Sequence, residues 1–249
     1  MIIGIITIFP EMFLTITKFG IISKAIKKNI LNITYWNPRN FTTNKHRMID
    51  DKPYGGGPGM LMLVQPINDA INAAKINMGN NIKVIYLSPQ GRKLHQNNIH
   101  ELSEYKKIIL VCGRYKGIDD RLLKNAIDEE WSIGDYIITG GELAAMIIID
   151  AIARLLDGTI NNSESIQTDS FANGILDCPY FTRPKIIAGM KVPDVLLSGN
   201  HAKIKRWKKK QSLGNTWLKR PDLLMNIKLT EDEKLLLFEF QNEYNIKKQ

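Results

Sequence analysis

The sequence predicts an α/β domain built on a parallel sheet, followed by a smaller, mainly helical unit. Several apolar, β-branched runs are continuous rather than alternating, which is typical of strands covered on both faces. Each run ends abruptly in Gly, Pro or Ser, and a helical or irregular stretch follows it. The last part of the chain lacks such runs and is basic and helical in pattern.

Four segments are predicted as strands of the sheet. They are residues 2–10 (IIGIITIFP), 83–91 (KVIYLSPQG), 107–117 (KIILVCGRYKG) and 134–142 (GDYIITGGE). In parallel sheets ligands bind outside the carboxyl ends of the strands, which is where these glycine-bearing turns fall. Three of the turns, YLSPQG, CGRYKGID and IGDYIITGG, could form one pocket of backbone groups with Tyr86 and Tyr136 as apolar walls. Glycine suits such a pocket because a Cβ would hold the ligand away.

A helix is predicted from Gly141 to about Leu156. Its apolar residues at helical spacing on one face are Leu143, Met146, Ile147, Ala151 and Leu155. Asp150 and Arg154 lie four residues apart on this helix, so they could form an ion pair.

The amino-acid composition changes at residues 157–173, DGTINNSESIQTDSFAN, which are polar and nearly free of aliphatic side chains. We therefore predict a first domain at 1–160, a flexible interdomain linker at 161–175 and a basic helical domain at 176–249. In the last of these, Ser198 and Asn200 are candidate caps of a lysine-rich helix.

Composition excludes several classes of protein. Cys112 and Cys178 lie far apart without metal-ligand spacing, so neither a disulfide framework nor a zinc site is predicted. The start, MIIGIITIFPEMF, lacks a basic leader, and LAAMIIIDAIARLL is shorter than the ~20 residues of a membrane span. We expect a cytoplasmic protein that does not bind membranes.

The net charge of +9 is concentrated in one segment. Residues 183–220 hold eleven Lys or Arg and one acid, Asp194, whereas the rest of the chain holds 23 basic and 24 acidic residues. This distribution favours a surface for a polyanion such as RNA or DNA, with Lys208, Lys209 and Lys210 as candidate contacts. The alternative is a solvated basic helix.

The segment GGGPG at 55–59 fits the start of a nucleotide-binding loop, but the polar text before it is not a strand. Ordinary ATP and NAD sites are therefore not predicted. Residues 43–59 are instead interpreted as a loop carrying His46, Arg47, Asp50 and Asp51. It either covers a substrate or is a disordered surface loop.

The chain resembles the TrmD family, the bacterial tRNA (guanine-N1)-methyltransferases of the SPOUT class, over nearly its whole length. The matching text includes FPEMF, NPRNF, DDKPYGGGPGM, YLSPQG, CGRYKGID, SIGDYIITGGELAAM, IDAIARLLDG, DSF, LDCPYFTRP and VPDVLLSGNH. So many blocks in the same order make the resemblance specific.

The resemblance implies a SPOUT-type sheet with a deep trefoil knot and S-adenosylmethionine as methyl donor. It implies N1 of guanosine 37 of tRNA as acceptor, a homodimer with the active site at the subunit interface, and a dependence on Mg²⁺. The implied donor-binding residues are Tyr86, Leu87, Ser88, Pro89, Gly113, Ile133, Gly134, Tyr136, Ile138, Gly140 and Gly141.

The resemblance also assigns Asp169 as general base and Arg154 as its supporting cation. A carboxylate can remove the N1 proton, and a guanidinium can stabilise the charge that develops on O6. Without the resemblance, Asp169 in TDSF would be a turn or cap residue, and Arg154 a partner of Asp150. The further candidates for substrate contact are His46, Asp50, Ser170 and Asp177, besides the three lysines.

Two positions depart from the family pattern. Lys116 stands where the family usually has glutamate, and Ala144 where it usually has proline. The first exchange replaces a carboxylate near the pocket by an ammonium. Two alternatives stand beside tRNA methylation. One is a methyltransferase of the SPOUT class that acts on another RNA position, and the other, which Lys116 favours, is a non-catalytic RNA-binding protein that retains the fold.

Overall fold

The chain folds into two compact units. The computed structural model describes residues 1–160 and 164–246, and the units are Met1–Asn161 and Asn162–Gln249. Residues 161–163 of the predicted linker lie outside the described residues. Of the remainder, Glu164–Thr168 form a helix and Ile175 is buried in the core of the second unit. The predicted domain bounds and the flexibility of the linker stay predictions.

The first unit alternates strands and helices. Its strands are β1 (Ile2–Ile6), β2 (Asn32–Trp36), β3 (Asp50–Asp51), β4 (Leu61–Met62), β5 (Lys83–Lys93), β6 (Lys107–Cys112) and β7 (Glu129–Ser132). Its helices are α1 (Leu14–Thr17), α2 (Gly20–Lys27), α3 (Val64–Met78), α4 (Gln96–Glu104), α5 (Asp120–Ala126) and α6 (Gly141–Leu155), with 3-10 turns at Pro10–Phe13 and Pro38–Phe41.

Five of the strands form one parallel sheet in the order β2-β1-β6-β5-β7. Along β6, Ile108 and Leu110 belong to one buried cluster and Ile109 and Val111 to another. Successive side chains of a strand point to opposite faces, so a strand covered on both sides is apolar throughout. This arrangement confirms the predicted α/β class with a parallel sheet.

The fourth predicted strand, at 134–142, is wrong. The strand is the preceding segment β7, which pairs with β5, while residues 133–140 form a loop in which Ile137 is 82% exposed. The sequence hides β7 because two of its four residues are glutamates. Glu129 is nevertheless accommodated, since it accepts hydrogen bonds from Tyr105 Oη (2.7 Å) and Trp131 Nε1 (2.9 Å).

The helix predicted from Gly141 is confirmed as α6, but its buried face is not the predicted stripe. The buried apolar residues are Ala144, Ala145, Ile148, Ile149, Ile152 and Ala153. Leu143 and Ile147 of the predicted stripe are exposed. The alanines on the buried side let the helix pack closely in the core.

The second unit is mainly helical. Its elements are α7 (Glu164–Thr168), β8 (Ile186–Ile187), β9 (Met190–Lys191), α8 (Asp194–Leu197), α9 (His201–Lys219), α10 (Pro221–Met225) and α11 (Glu231–Ile246). Asn200 caps α9, as predicted, because its side chain accepts a hydrogen bond from Lys203 N (3.1 Å). Leu213 of α9 and Leu236 of α11 meet Ile175 in a small core.

Two further findings concern the cysteines and the possibility of a membrane span. Cys112 and Cys178 are both buried, free thiols. Within residues 1–160 and 164–246, no helix is both long and apolar enough to cross a membrane.

Candidate active site

The carboxyl ends of β5 and β6 and the loop after β7 enclose a cavity of about 650 Å³. All eleven predicted donor-binding residues lie in its wall. They come from three segments that are distant in sequence but adjacent in the sheet, because parallel strands end at the same edge.

The first segment is an irregularity within β5. Leu87 and Arg92 both pair with Trp131 of β7, so the residues between them leave the ladder, and Ser88, Pro89 and Gln90 line the cavity. Pro89 has no N–H to give to a ladder, which makes it compatible with this break. Gly91 then passes so close to β7 that a Cβ would lie 2.4 Å from the backbone carbon of Glu130.

The second segment follows β6 and packs against Tyr86. A Cβ on Gly113 would lie 2.6 Å from Tyr86 Oη, so only glycine leaves room for this phenol in the wall. Burial raises the pKa of Tyr86 to about 12. The phenol therefore stays neutral near pH 7 and can donate a hydrogen bond, but it cannot act as a general base.

The third segment is the loop at 133–141. Gly134 has a φ of 151°, and a Cβ there would lie 2.5 Å from the ring of Tyr136. Ser132 Oγ accepts a hydrogen bond from Gly134 N (3.2 Å), which holds the turn. Gly141 N donates to Gly113 O (2.9 Å), and so joins this loop to the second segment.

A buried ion pair beneath the wall was not predicted from the sequence. Glu142 is fully buried and accepts hydrogen bonds from Arg114 Nε (2.9 Å) and Thr7 Oγ1 (2.9 Å). The guanidinium of Arg114 also lies over the ring of Phe9, 4.6 Å from its centroid. These contacts connect Thr7, directly after β1, with the turn after β6 and the start of α6. A glutamate in an apolar helix was a signal in the sequence. Its partners could not be predicted, because Thr7 is 135 residues away and Arg114 is 28 residues away.

The loop with the sequence GGGPG reaches the cavity through its last residues. Gly59 and Met60 line the wall, and β3 and β4 pair as a short hairpin at the base of the loop. Lys116 N donates to Met60 O (2.9 Å), and a Cβ on Gly59 would lie 2.9 Å from Lys116 Cγ. The end of the GGGPG loop therefore packs directly against the turn after β6.

The two predicted catalytic residues belong to different units. Arg154 lies in the last turn of α6, and Asp169 follows α7 in the second unit. Asp150 has no ion pair among the described residues, so the alternative pairing of Arg154 with Asp150 is absent. Neither Arg154 nor Asp169 lies in the cavity wall.

The other candidate contacts fall into two groups. His46 is exposed in the loop before β3, and Asp50 is half-buried on β3; neither lines the cavity. In the second unit, Ser170 Oγ accepts a hydrogen bond from Asp177 N (3.0 Å), so these two residues are adjacent. Asp177 Oδ2 accepts from Tyr180 Oη (2.7 Å), and this bond raises the pKa of the Tyr180 phenol.

Several cations of the lysine-rich helix α9 form ion pairs, which its sequence does not suggest. Lys209 pairs with Glu233 and Lys210 with Glu243, each at 2.6 Å, and both acids belong to α11. Arg206 pairs with Glu239 of the same helix, also at 2.6 Å. Lys208 is exposed and has no ion pair among the described residues; its ammonium lies 5.7 Å from the Tyr180 ring centroid. Of the three predicted lysines, Lys208 is thus the one available to a polyanion.

The cavity suits a neutral or weakly charged organic ligand better than a metal ion. Its wall combines apolar side chains such as Leu87 and Ile138 with glycine backbone, and it includes no Asp, Glu or His. Mg²⁺ in proteins is bound through carboxylate oxygens, and residues 1–160 and 164–246 contain no cluster of three or more possible metal ligands. The cavity wall therefore offers no carboxylate that could hold Mg²⁺.

Comparison with known proteins gives a consistent result. The family model described as "tRNA (Guanine-1)-methyltransferase TrmD" matches residues 1–226. A protein of Blochmanniella pennsylvanica is 60% identical over 245 residues, which are 98% of this chain and 96% of that protein. A protein of Pectobacterium carotovorum is 58% identical over 247 residues, which are 99% and 98% of the two chains. Both relatives are named tRNA (guanine-N(1)-)-methyltransferase.

Proposed function

The chain belongs to the TrmD family of tRNA (guanine-1)-methyltransferases, and from this premise we propose that it methylates N1 of a guanosine in tRNA with S-adenosylmethionine as donor. The acceptor we propose is guanosine 37, next to the anticodon. The observation that carries the proposal is the cavity at the carboxyl edge of the sheet, whose wall includes all eleven residues expected to hold the donor.

The wall offers backbone groups and apolar side chains to the adenine and amino-acid parts of the donor. The glycines at 113, 134, 140 and 141 let the wall pack tightly, because a Cβ there would lie 2.6, 2.5, 2.3 and 2.8 Å, respectively, from Tyr86, Tyr136, Arg114 and the Cys112 backbone. The backbone N–H and C=O groups of these segments border the cavity and can recognise an adenine or an amino-acid moiety. When bound, S-adenosylmethionine supplies an electrophilic methyl group on a sulfonium. The residues of the wall bind and orient it.

The chemistry on the acceptor falls to Asp169 and Arg154. The Asp169 carboxylate takes the proton from N1, and the Arg154 guanidinium stabilises negative charge on O6. We derive no step through Mg²⁺, because the cavity wall contains no carboxylate that could hold it.

The remaining features of the family complete the proposal. We propose a trefoil knot in the first unit, a homodimer with a shared active site, and a cytoplasmic location. The exposed Leu143 and Ile147 give α6 an apolar face that a second subunit would cover.

Methyl transfer from labelled S-adenosylmethionine tests the function. We expect 1-methylguanosine in tRNA transcripts with guanosine 37 and no label in transcripts with adenosine there. Label on ribose, or on a different guanosine, would favour a methyltransferase for another RNA position. Binding of tRNA without any transfer would favour the non-catalytic alternative.

The ion pairs of α9 predict unequal roles for neighbouring lysines in tRNA binding. Lys208→Gln is expected to weaken binding and to reduce the slope of log affinity against log salt by about one, as for one lost phosphate contact. Lys209→Gln is the matched control, because Glu233 already compensates the Lys209 ammonium at 2.6 Å. Binding isotherms at several salt concentrations measure both. A larger loss from Lys209→Gln would contradict this interpretation.

A further inference from the structure

The charged side chains in the cavity wall are unbalanced. The lining residues include two cations, Arg114 and Lys116, and no acidic side chain. Glu142, beneath the wall, compensates Arg114 through an ion pair of 2.9 Å. The wall therefore presents one net positive charge, that of Lys116.

The position of Lys116 is constrained although its side chain is exposed. Its backbone N–H is bonded to Met60 O (2.9 Å), and its stem lies against Gly59, whose Cβ position is 2.9 Å from Cγ and 3.0 Å from Cε. Lys116 has no ion pair among the residues that the structure describes. The stem of Lys116 therefore lies at the cavity wall, and its ammonium has no paired counter-charge among the described residues.

We infer that Lys116 is a specificity-determining residue that biases this cavity towards S-adenosylhomocysteine and against S-adenosylmethionine. The inference rests on the proposed function. The two ligands differ by the methyl group and its charge, because the donor carries a sulfonium and the product a neutral thioether. An ammonium in the wall repels the sulfonium and leaves the thioether unaffected, so product is retained relative to donor.

The size of the bias follows from Coulomb's law. Two unit charges about 10 Å apart, at an effective dielectric constant of about 25 to 50, change a ratio of affinities by about three- to tenfold. The effect is screened by salt, with a Debye length of about 10 Å at 0.1 M ionic strength. It is therefore largest at low ionic strength.

Calorimetric titration of the full-length protein with each of the two ligands, without tRNA, tests the inference. Lys116→Gln is expected to lower the ratio of the donor Kd to the product Kd about three- to tenfold at low salt. Lys116→Glu, which has the residue that the family usually has here, is expected to lower it further. Both effects shrink at high salt.

Lys24→Glu is the matched control, because Lys24 is an exposed lysine of the same unit that does not line the cavity. It makes the same change in net charge, and its ratio is expected to equal that of the unaltered protein. An unchanged ratio in both Lys116 variants, or an equal change in Lys24→Glu, would overturn the inference while the proposed function stands. Failure of the unaltered protein to bind either ligand would overturn the proposed function, and the inference with it.

Discussion

Asp169→Asn is expected to lower the rate of methyl transfer by roughly a hundredfold to ten-thousandfold, the contribution that a positioned general base makes. Asparagine has nearly the shape of aspartate but no carboxylate that could accept the N1 proton at neutral pH. Donor binding is expected to be unchanged, because the donor cavity is formed by residues of the first unit and Asp169 is not among them. Single-turnover transfer to tRNA and calorimetric binding of the donor measure the two quantities separately.

Asp194→Asn provides the control for this experiment. Asp194 is an acid of the same unit with a side chain that is 79% exposed, and among residues 1–160 and 164–246 it pairs only with the nearby Lys191, at 2.7 Å. Its replacement makes the same change of chemistry without touching the proposed base, so normal turnover is expected. Near-normal turnover in Asp169→Asn would contradict the assignment of Asp169 as the base.

Glu142→Gln is expected to destabilise the protein by about 3 kcal/mol, towards the lower end of the cost of removing one partner from a buried ion pair. Glu142 is fully buried and the Arg114 side chain is 17% exposed, so the guanidinium would lose its counter-charge in a poorly solvated place. Because Glu142 joins Thr7, directly after β1, and Arg114, in the turn after β6, to α6, we expect the donor cavity to loosen as well. Equilibrium unfolding in urea gives the change in free energy.

The exposed ion pair of Arg92 and Glu101 provides the control, because a glutamate can be replaced by glutamine there without leaving a buried charge unpaired. Its N–O distance is 3.0 Å, but the side chains are 57% and 41% exposed. Surface pairs of this kind contribute about 0–1 kcal/mol, so Glu101→Gln should be close to neutral. If the two variants lost similar stability, the buried pair would not have the role proposed for it.

Regular patterns in the sequence were sufficient for the class of fold. Continuous apolar runs predicted strands buried on both faces, and α6 was predicted at the right position. The predictions failed where a strand is polar, because β7 is stabilised by partners in β5 and by hydrogen bonds to Glu129, which local sequence does not reveal.

The site shows the same division. Glycine-bearing strand ends and the family resemblance identified the eleven residues expected to hold the donor, and parallel topology explains why they meet. The pairing of charged side chains, in contrast, could not be predicted from the sequence. The sequence suggested a free basic helix, whereas Lys209 and Lys210 are paired with acids of α11 that lie 24 and 33 residues further along the chain.

The sequence by itself determined the class of fold, the family and the positions of the glycines at the strand ends. Each of these depends on residue types at short spacing, and local backbone preference is set within a few residues. Only the tertiary structure decided which charges remain available. Pairing depends on distances of a few ångströms between side chains, and folding brings together Thr7, Arg114 and Glu142 beneath the cavity but leaves Lys116 without a described counter-charge in its wall.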